Sequence, residues 1–223
     1  MSRIRGGAAT DLLGGIDLAA QSEPIAPGAV LLHGFARTEL DALATAINAL
    51  AAEAPFRHMI TPGGFRMSVA MTNCGRAGWI TDRRGYRYDD NDPLTGRPWP
   101  AMPEIFLALA ARAAIAAGFP DFTPDACLIN RYEPGARLTL HQDRNERDFA
   151  QPIVSVSLGL PATFLFGGMS RGDRPRRYPL HSGDVAVWGG PARLAFHGID
   201  KLAEGDDALF GRYRFNLTLR RAL

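Results

Sequence analysis

The pattern of apolar and polar positions gives the chain two textures. In the first half, apolar residues recur at helical spacing twice. Residues 38–54, TELDALATAINALAAEA, put Leu40, Leu43, Ile47 and Leu50 on one stripe, with Thr38 as the expected N-cap and Asp41 three residues on, a start resembling a capping box. A second helix is predicted over residues 103–117, with Pro103 near its start and Gly118 just past its end. Between them, RMSVAMTNCG, GWITDRRGYRYDD and NDPLTGRPWP read as short strands and turns in which aromatic residues are interleaved with arginines. Beyond Asp125 the chain becomes almost all strand: CLINRYE, RLTLHQD, IVSVSLGL, TFLFGG, RRYPL, DVAVWGG, RLAFHGI and YRFNLTLRR alternate and are separated by turn signals. Eight such segments predict a jelly roll.

The expected class is therefore α+β, mainly β. Three regions follow: a loosely attached arm rich in Gly, Ala and Pro over residues 1–27, helical supports with an aromatic segment over 28–125, and a strand-built core over 126–223. A length of 223 residues, 46% of them hydrophobic, suffices for a real core and suits one domain with an elaboration. The net charge of +2 singles out no partner, although arginine is concentrated in residues 81–88 and 171–177. Two cysteines, Cys74 and Cys127, exclude a disulfide framework and a four-thiol zinc site, and they read as buried thiols. The opening MSRIRGGAATDLLGG lacks the apolar run of a signal peptide, and no stretch approaches the ~18 apolar residues of a membrane span. A soluble, cytoplasmic chain without a membrane partner is expected, and nothing demands an oligomer.

Candidate chemistry lies in LTLHQDRNERD. Side chains two apart on a strand point the same way, so Thr139, His141 and Asp143 are expected on the face opposite Leu138 and Leu140. One imidazole and one carboxylate are half of a metal site. A third ligand is available in His197, which faces away from Leu194 and Phe196 in RLAFHGI. Two histidines and one carboxylate with open positions form the facial triad preferred by non-haem Fe(II) oxygenases. His181 stands in the turn-forming LHSGD, while His33 and His58 precede the strand array. In the last strand Tyr213, Phe215, Leu217 and Leu219 alternate with Arg212, Arg214, Asn216, Thr218 and Arg220. Its polar face is either a solvated exterior or the wall of a ligand site, where arginine forks suit a dicarboxylate.

The ordered set NRY (residues 130–132), HQD (141–143), PIVSVSLGLPA, FGG, GDVAVWGG, FHGI and RYRFNLTLR closely resembles the AlkB family of Fe(II)- and 2-oxoglutarate-dependent nucleic-acid demethylases. The likeness runs from about Phe56 to the end and includes MTNCGRAGWI and the GYRY turn. It implies a double-stranded β-helix with a nucleotide-recognition lid, Fe(II) as cofactor, and 2-oxoglutarate and O2 as co-substrates. His141, Asp143 and His197 match the family's iron ligands. Asn130, Tyr132, Arg214, Asn216 and Arg220 match positions that hold 2-oxoglutarate, Arg214 at the distal carboxylate and Arg220 nearer the keto-acid end. Trp79, Tyr86 and Tyr88 match the lid, and Arg171 matches a substrate-contacting arginine.

The implied reaction is direct reversal of damage to DNA, or RNA. An N-methyl group is oxidised, 2-oxoglutarate becomes succinate and CO2, and formaldehyde leaves. Bases such as 1-methyladenine and 3-methylcytosine carry positive charge, which the face of Trp79 would attract by ~0.5–2 kcal/mol. Their modified atoms lie on the Watson–Crick edge, so a single strand or a flipped-out base is required. Arg83, Arg84, Arg87, Arg174, Arg176 and Arg177 are candidate phosphate contacts. One departure concerns the substrate side: Asn145 stands where the bacterial relative carries an aspartate that approaches the base, which weakens attraction for a cationic ring and leaves lesion preference open. Arg137 replaces a lysine and keeps its charge. The competing reading is a 2-oxoglutarate-dependent hydroxylase acting on a protein or small molecule.

Overall fold

A computed structural model of the protein describes residues 22–223. Strands β1 (Ser22–Ala26) and β2 (Ala29–Leu32) lead through a 3-10 turn into helix α1 (Leu40–Glu53). Strands β3 (Arg57–Ile60), β4 (Arg66–Gly75), β5 (Gly78–Asp82) and β6 (Gly85–Asp89) follow, then helix α2 (Glu104–Ala116). The rest is β7 (Ala126–Tyr132), β8 (Leu138–His141), β9 (Ile153–Gly159), β10 (Ala162–Phe166), β11 (Arg176–Leu180), β12 (Val185–Trp188), β13 (His197–Ile199) and β14 (Arg214–Arg220). An eight-stranded sheet in the order β1-β2-β12-β9-β14-β7-β4-β3 faces a four-stranded sheet in the order β11-β10-β13-β8, and β5-β6 stands apart as a hairpin. The fold is the expected jelly roll.

Period-two alternation explains how one sheet serves two cores. Along β9, β12 and β14, Val154, Val156, Val185, Val187, Leu217 and Leu219 pack with Leu43, Ile47, Leu50, Phe106 and Leu109 of the two helices. The opposite face meets the small sheet through Ile153, Trp188, Phe164, Phe166 and Ile199. The polar face of β14 consequently turns inward. Arg214, Asn216, Thr218 and Arg220 are all buried, which excludes a solvated exterior.

Four expectations need correction. Residues 1–21 of the predicted arm lie outside the described residues, but Ser22–Ala26 form β1, paired with β2 at the edge of the large sheet. Residue 125 is not a boundary, because β2 pairs with β12 and β4 pairs with β7 across it. Thr38 does not cap α1; it lies inside the 3-10 turn Arg37–Glu39, and the helix begins at Leu40 without a side-chain cap. Asp143 falls beyond the end of β8, so the strand carries only one of the two expected ligands.

Candidate metal centre and nucleotide cleft

The small sheet brings the two outer ligands together. His141 ends β8, His197 opens β13, and the two residues are direct partners across the antiparallel pair. Their ring centroids are 4.4 Å apart. Gly198 permits this approach, since a Cβ there would stand 2.5 Å from the Leu138 carbonyl oxygen. Asp143 reaches the same point from the irregular segment that follows β8. That segment is pinned by the Gln142 amide donating to the Leu194 carbonyl at 2.6 Å and by Arg193 Nη1 donating to the Asp143 carbonyl at 2.8 Å. His141 Nε2 is 3.7 Å from Asp143 Oδ1, and His197 Nε2 is 3.7 Å from Oδ2. One ligand atom from each of the three lies within 4.8 Å of the others.

The donor chemistry fits a cation. Each Nδ1 faces a backbone carbonyl, Thr139 at 2.8 Å and Ala195 at 3.0 Å, and a carbonyl only accepts. Both Nδ1 atoms therefore hold protons, and both Nε2 atoms are turned toward the Asp143 carboxylate. Burial, reinforced by the neighbouring His141, pushes the pKa of His197 down to about 3 and keeps it neutral. Burial alone would raise the pKa of Asp143, but Arg220, with the two histidines, holds it well below the usual carboxylate range. Two imidazole nitrogens and a carboxylate converging on one point are a donor set suited to a divalent cation. His33, His58 and His181 lie elsewhere: His33 contacts Glu23, His58 bonds the Met67 carbonyl, and the His181 backbone N–H donates to Asp184.

The three ligands open on a cleft of about 560 Å³. On its floor Asn130, Tyr132, Asn216 and Arg220 are joined by Ser155 and Thr218, which the sequence reading did not assign. Asn216 donates to Ser155 Oγ at 2.8 Å and accepts from Thr218 Oγ1 at 2.9 Å. Arg214 does not line the cleft; it lies 1% exposed behind Tyr132, its guanidinium 5.2 Å from that ring. It donates to Ser157 Oγ at 3.1 Å, its Nε has no partner, and no carboxylate pairs with it among the described residues. Burial lowers its pKa and pushes that of Tyr132 up to about 12. A buried cation with a spare donor fits an incoming carboxylate. Arg220 is committed elsewhere, with Nε donating to Asp143 Oδ2 at 2.9 Å and Nη2 paired with the same oxygen at 2.7 Å.

The β5-β6 hairpin roofs the opening. Trp79 stacks on Tyr86 with centroids 5.7 Å apart and an interplanar angle of 21°, and its indole N–H donates to Asn145 Oδ1 at 3.1 Å. Trp79, Tyr86, Asn145 and Arg171 all line the cleft. Arg171 is braced by the Leu140 carbonyl at 2.9 Å and lies over Phe196. Tyr88 departs from its predicted role, because its hydroxyl turns inward to donate to Glu146 at 2.7 Å. Among the candidate phosphate contacts, Arg84 and Arg87 are paired with Asp82, and Arg177 with Asp200. Arg83, Arg174 and Arg176 are exposed and have no ion pair among the described residues.

Residues 28–220 match the 2OG-Fe(II) oxygenase superfamily. The chain is 58% identical over 200 residues to the alpha-ketoglutarate-dependent dioxygenase AlkB of Escherichia coli, covering 90% of this chain and 93% of the relative. This chain belongs to the AlkB family of 2OG-Fe(II) oxygenases. It is also 34% identical over 125 residues to the human nucleic acid dioxygenase ALKBH1, covering 56% of this chain and 32% of that longer protein. The solved structure of OsALKBH1 superimposes with a TM-score of 0.80 at 29% identity, over 90% of this chain and 99% of that one. As an AlkB-family dioxygenase the protein uses Fe(II) and 2-oxoglutarate, and His141, Asp143 and His197 form a set that fits the iron. No helix among the described residues is long and apolar enough to cross a membrane.

Proposed function

We propose that the protein repairs nucleic acid by oxidative demethylation of N-alkylated bases of the 1-methyladenine and 3-methylcytosine type, in single-stranded or flipped-out DNA and in RNA. The observation that carries this reading is the stacked Trp79–Tyr86 pair lining the same cleft as the metal ligands. Aromatic faces suit a flat base and reward a cationic one. Iron with bound 2-oxoglutarate and O2 supplies the oxidising power for hydroxylating the N-methyl group, and succinate and CO2 are the co-products. The hydroxymethyl product then breaks its C–N bond, releasing formaldehyde and the restored base.

This chain's residues have assigned tasks. His141, Asp143 and His197 hold the metal, with both imidazoles aimed by backbone carbonyls. Tyr132, Asn130 and Asn216 line the cleft that takes 2-oxoglutarate, and Arg214 behind Tyr132 supplies the positive charge and unpaired Nε that its distal carboxylate would seek. Arg220 acts on the metal side by orienting Asp143. The stacked Trp79–Tyr86 pair offers an aromatic face to the base, Asn145 addresses its edge, and Arg171 contacts the strand. The test is mass spectrometry of oligonucleotides carrying single defined lesions, incubated with Fe(II), 2-oxoglutarate and ascorbate. Loss of the methyl group with stoichiometric formaldehyde is expected, and His141→Ala abolishes it. Oxidation of a peptide or small molecule with methylated oligonucleotides untouched would establish the competing hydroxylase reading.

A further inference from the structure

The lid and the metal centre share one short segment. Asp143, Arg144, Asn145 and Glu146 follow one another, with a metal ligand at the start and two lid partners at the end. Trp79 of β5 bonds Asn145, and Tyr88 of β6 bonds Glu146. Glu146 is 6% exposed and sits in a closed set of charges. Its Oε2 is 3.2 Å from Arg193 Nη2, and its Oε1 is 3.6 Å from Arg220 Nε. Arg220 Nη1 donates to the Tyr88 hydroxyl at 3.3 Å, while its other two nitrogens grip Asp143 Oδ2. Arg193 in turn holds the Asp143 backbone carbonyl. Two guanidinium groups and two carboxylates balance, so the network is stable in a buried place only while every member is present.

We propose that Glu146 is a positioning residue that couples the recognition lid to the metal centre, acting through the Tyr88 hydroxyl and the Arg220 guanidinium to fix the Asp143 carboxylate. The Tyr88 hydroxyl is the one lid group in this circuit, accepting from Arg220 and donating to Glu146. A metal ion seated on Asp143 fixes the carboxylate that orients Arg220, and Arg220 orients Tyr88. Seating the metal thereby tightens the hairpin over the cleft before any base arrives. The inference rests on the metal-centre assignment, and its test needs neither nucleic acid nor turnover, so its failure is distinct from failure of the demethylase reading.

The probe is Mn(II) alone, added to the full chain. Amide hydrogen exchange of residues 78–89 is followed with and without metal, and Mn(II) affinity is measured from the resonance of the free ion. In the wild type, metal slows exchange across the hairpin. Tyr88→Phe, which keeps the ring and removes only the link, abolishes that slowing. Glu146→Gln weakens Mn(II) binding by roughly tenfold or more, the usual consequence of losing a partner that orients a ligand. A merely structural network would lower the unfolding midpoint of both variants and leave the metal-dependent change intact. The proposal is overturned by a wild-type hairpin indifferent to metal, by a Tyr88→Phe hairpin that still responds, or by Glu146→Gln affinity within twofold of wild type.

Discussion

Acidifying the metal-free protein from pH 7 to about pH 5 should remove a defined part of its stability through one side chain. His197 is 6% exposed, with Phe164 and Trp188 beside its ring, and burial holds its pKa down to about 3, against 6.5 for a free imidazole. As pH falls through 6.5 the unfolded chain takes up a proton that the folded chain refuses. The folded state therefore has its full stability above that point and loses it progressively toward pH 3. Each pH unit in the window is worth ~1.4 kcal/mol, so about 2 kcal/mol is lost by pH 5. Asp143 acts in the same direction only below the ordinary carboxylate range, near 3.8, because its folded pKa is depressed. Urea unfolding of wild type and His197→Asn at both pH values isolates the contribution, the variant losing ~2 kcal/mol less than wild type over the interval. Equal losses in the two proteins would refute the assignment of a buried neutral imidazole.

Other consequences are as direct. Asn145→Asp restores a negative charge beside the base and should shift preference toward cationic 1-methyladenine over a neutral methylated guanine by roughly fivefold, about 1 kcal/mol of partly screened attraction. Competition between two lesion-bearing oligonucleotides measures the ratio, and an unchanged ratio counts against Asn145 facing the base. Arg214→Lys, which loses the planar fork, should raise the KM for 2-oxoglutarate about tenfold or more with Mn(II) affinity nearly unchanged; a parallel loss of both would place Arg214 in the metal network instead. Cys74 and Cys127 are fully buried partners across β4 and β7, and the hydrogen bond the Cys74 thiol gives to Cys127, together with burial, raises the Cys74 pKa. Neither should react with a thiol reagent until urea unfolds the chain, and modification of the native protein within minutes would contradict the packing.

Much of this arrangement was legible in the order of residues. The alternation of β14 announced one polar and one apolar face, and both faces exist; that both are buried depends on helices packed far away in sequence. The two histidine ligands were legible from residue type and strand position, and Asp143 from its residue type and nearness to His141. Asp143 was misplaced on the strand because periodicity does not report where a strand stops. Strand β1 was hidden by Pro24 and Pro27, residues that a strand tolerates at a sheet edge. Thr218 could have been found from its place between Asn216 and Arg220 on the polar face. Glu146 and Arg193 could not, since their roles come from contacts that span 47 to 74 residues and carry no local pattern. For the same reason Tyr88 looked equivalent to Tyr86, although one hydroxyl is committed to the interior.

The direct pairing of His141 with His197 makes the bite of the metal site a dimension of the small sheet rather than a property of the chain between them. More than fifty residues intervene, and they include the exposed segment around Met169, Arg171 and Arg174 at the rim of the cleft. That stretch can lengthen, shorten or change its charge while the ligand geometry stays fixed by neighbouring strands. Selection for new targets thus has a free hand at the entrance, and the oxidising chemistry is inherited unaltered.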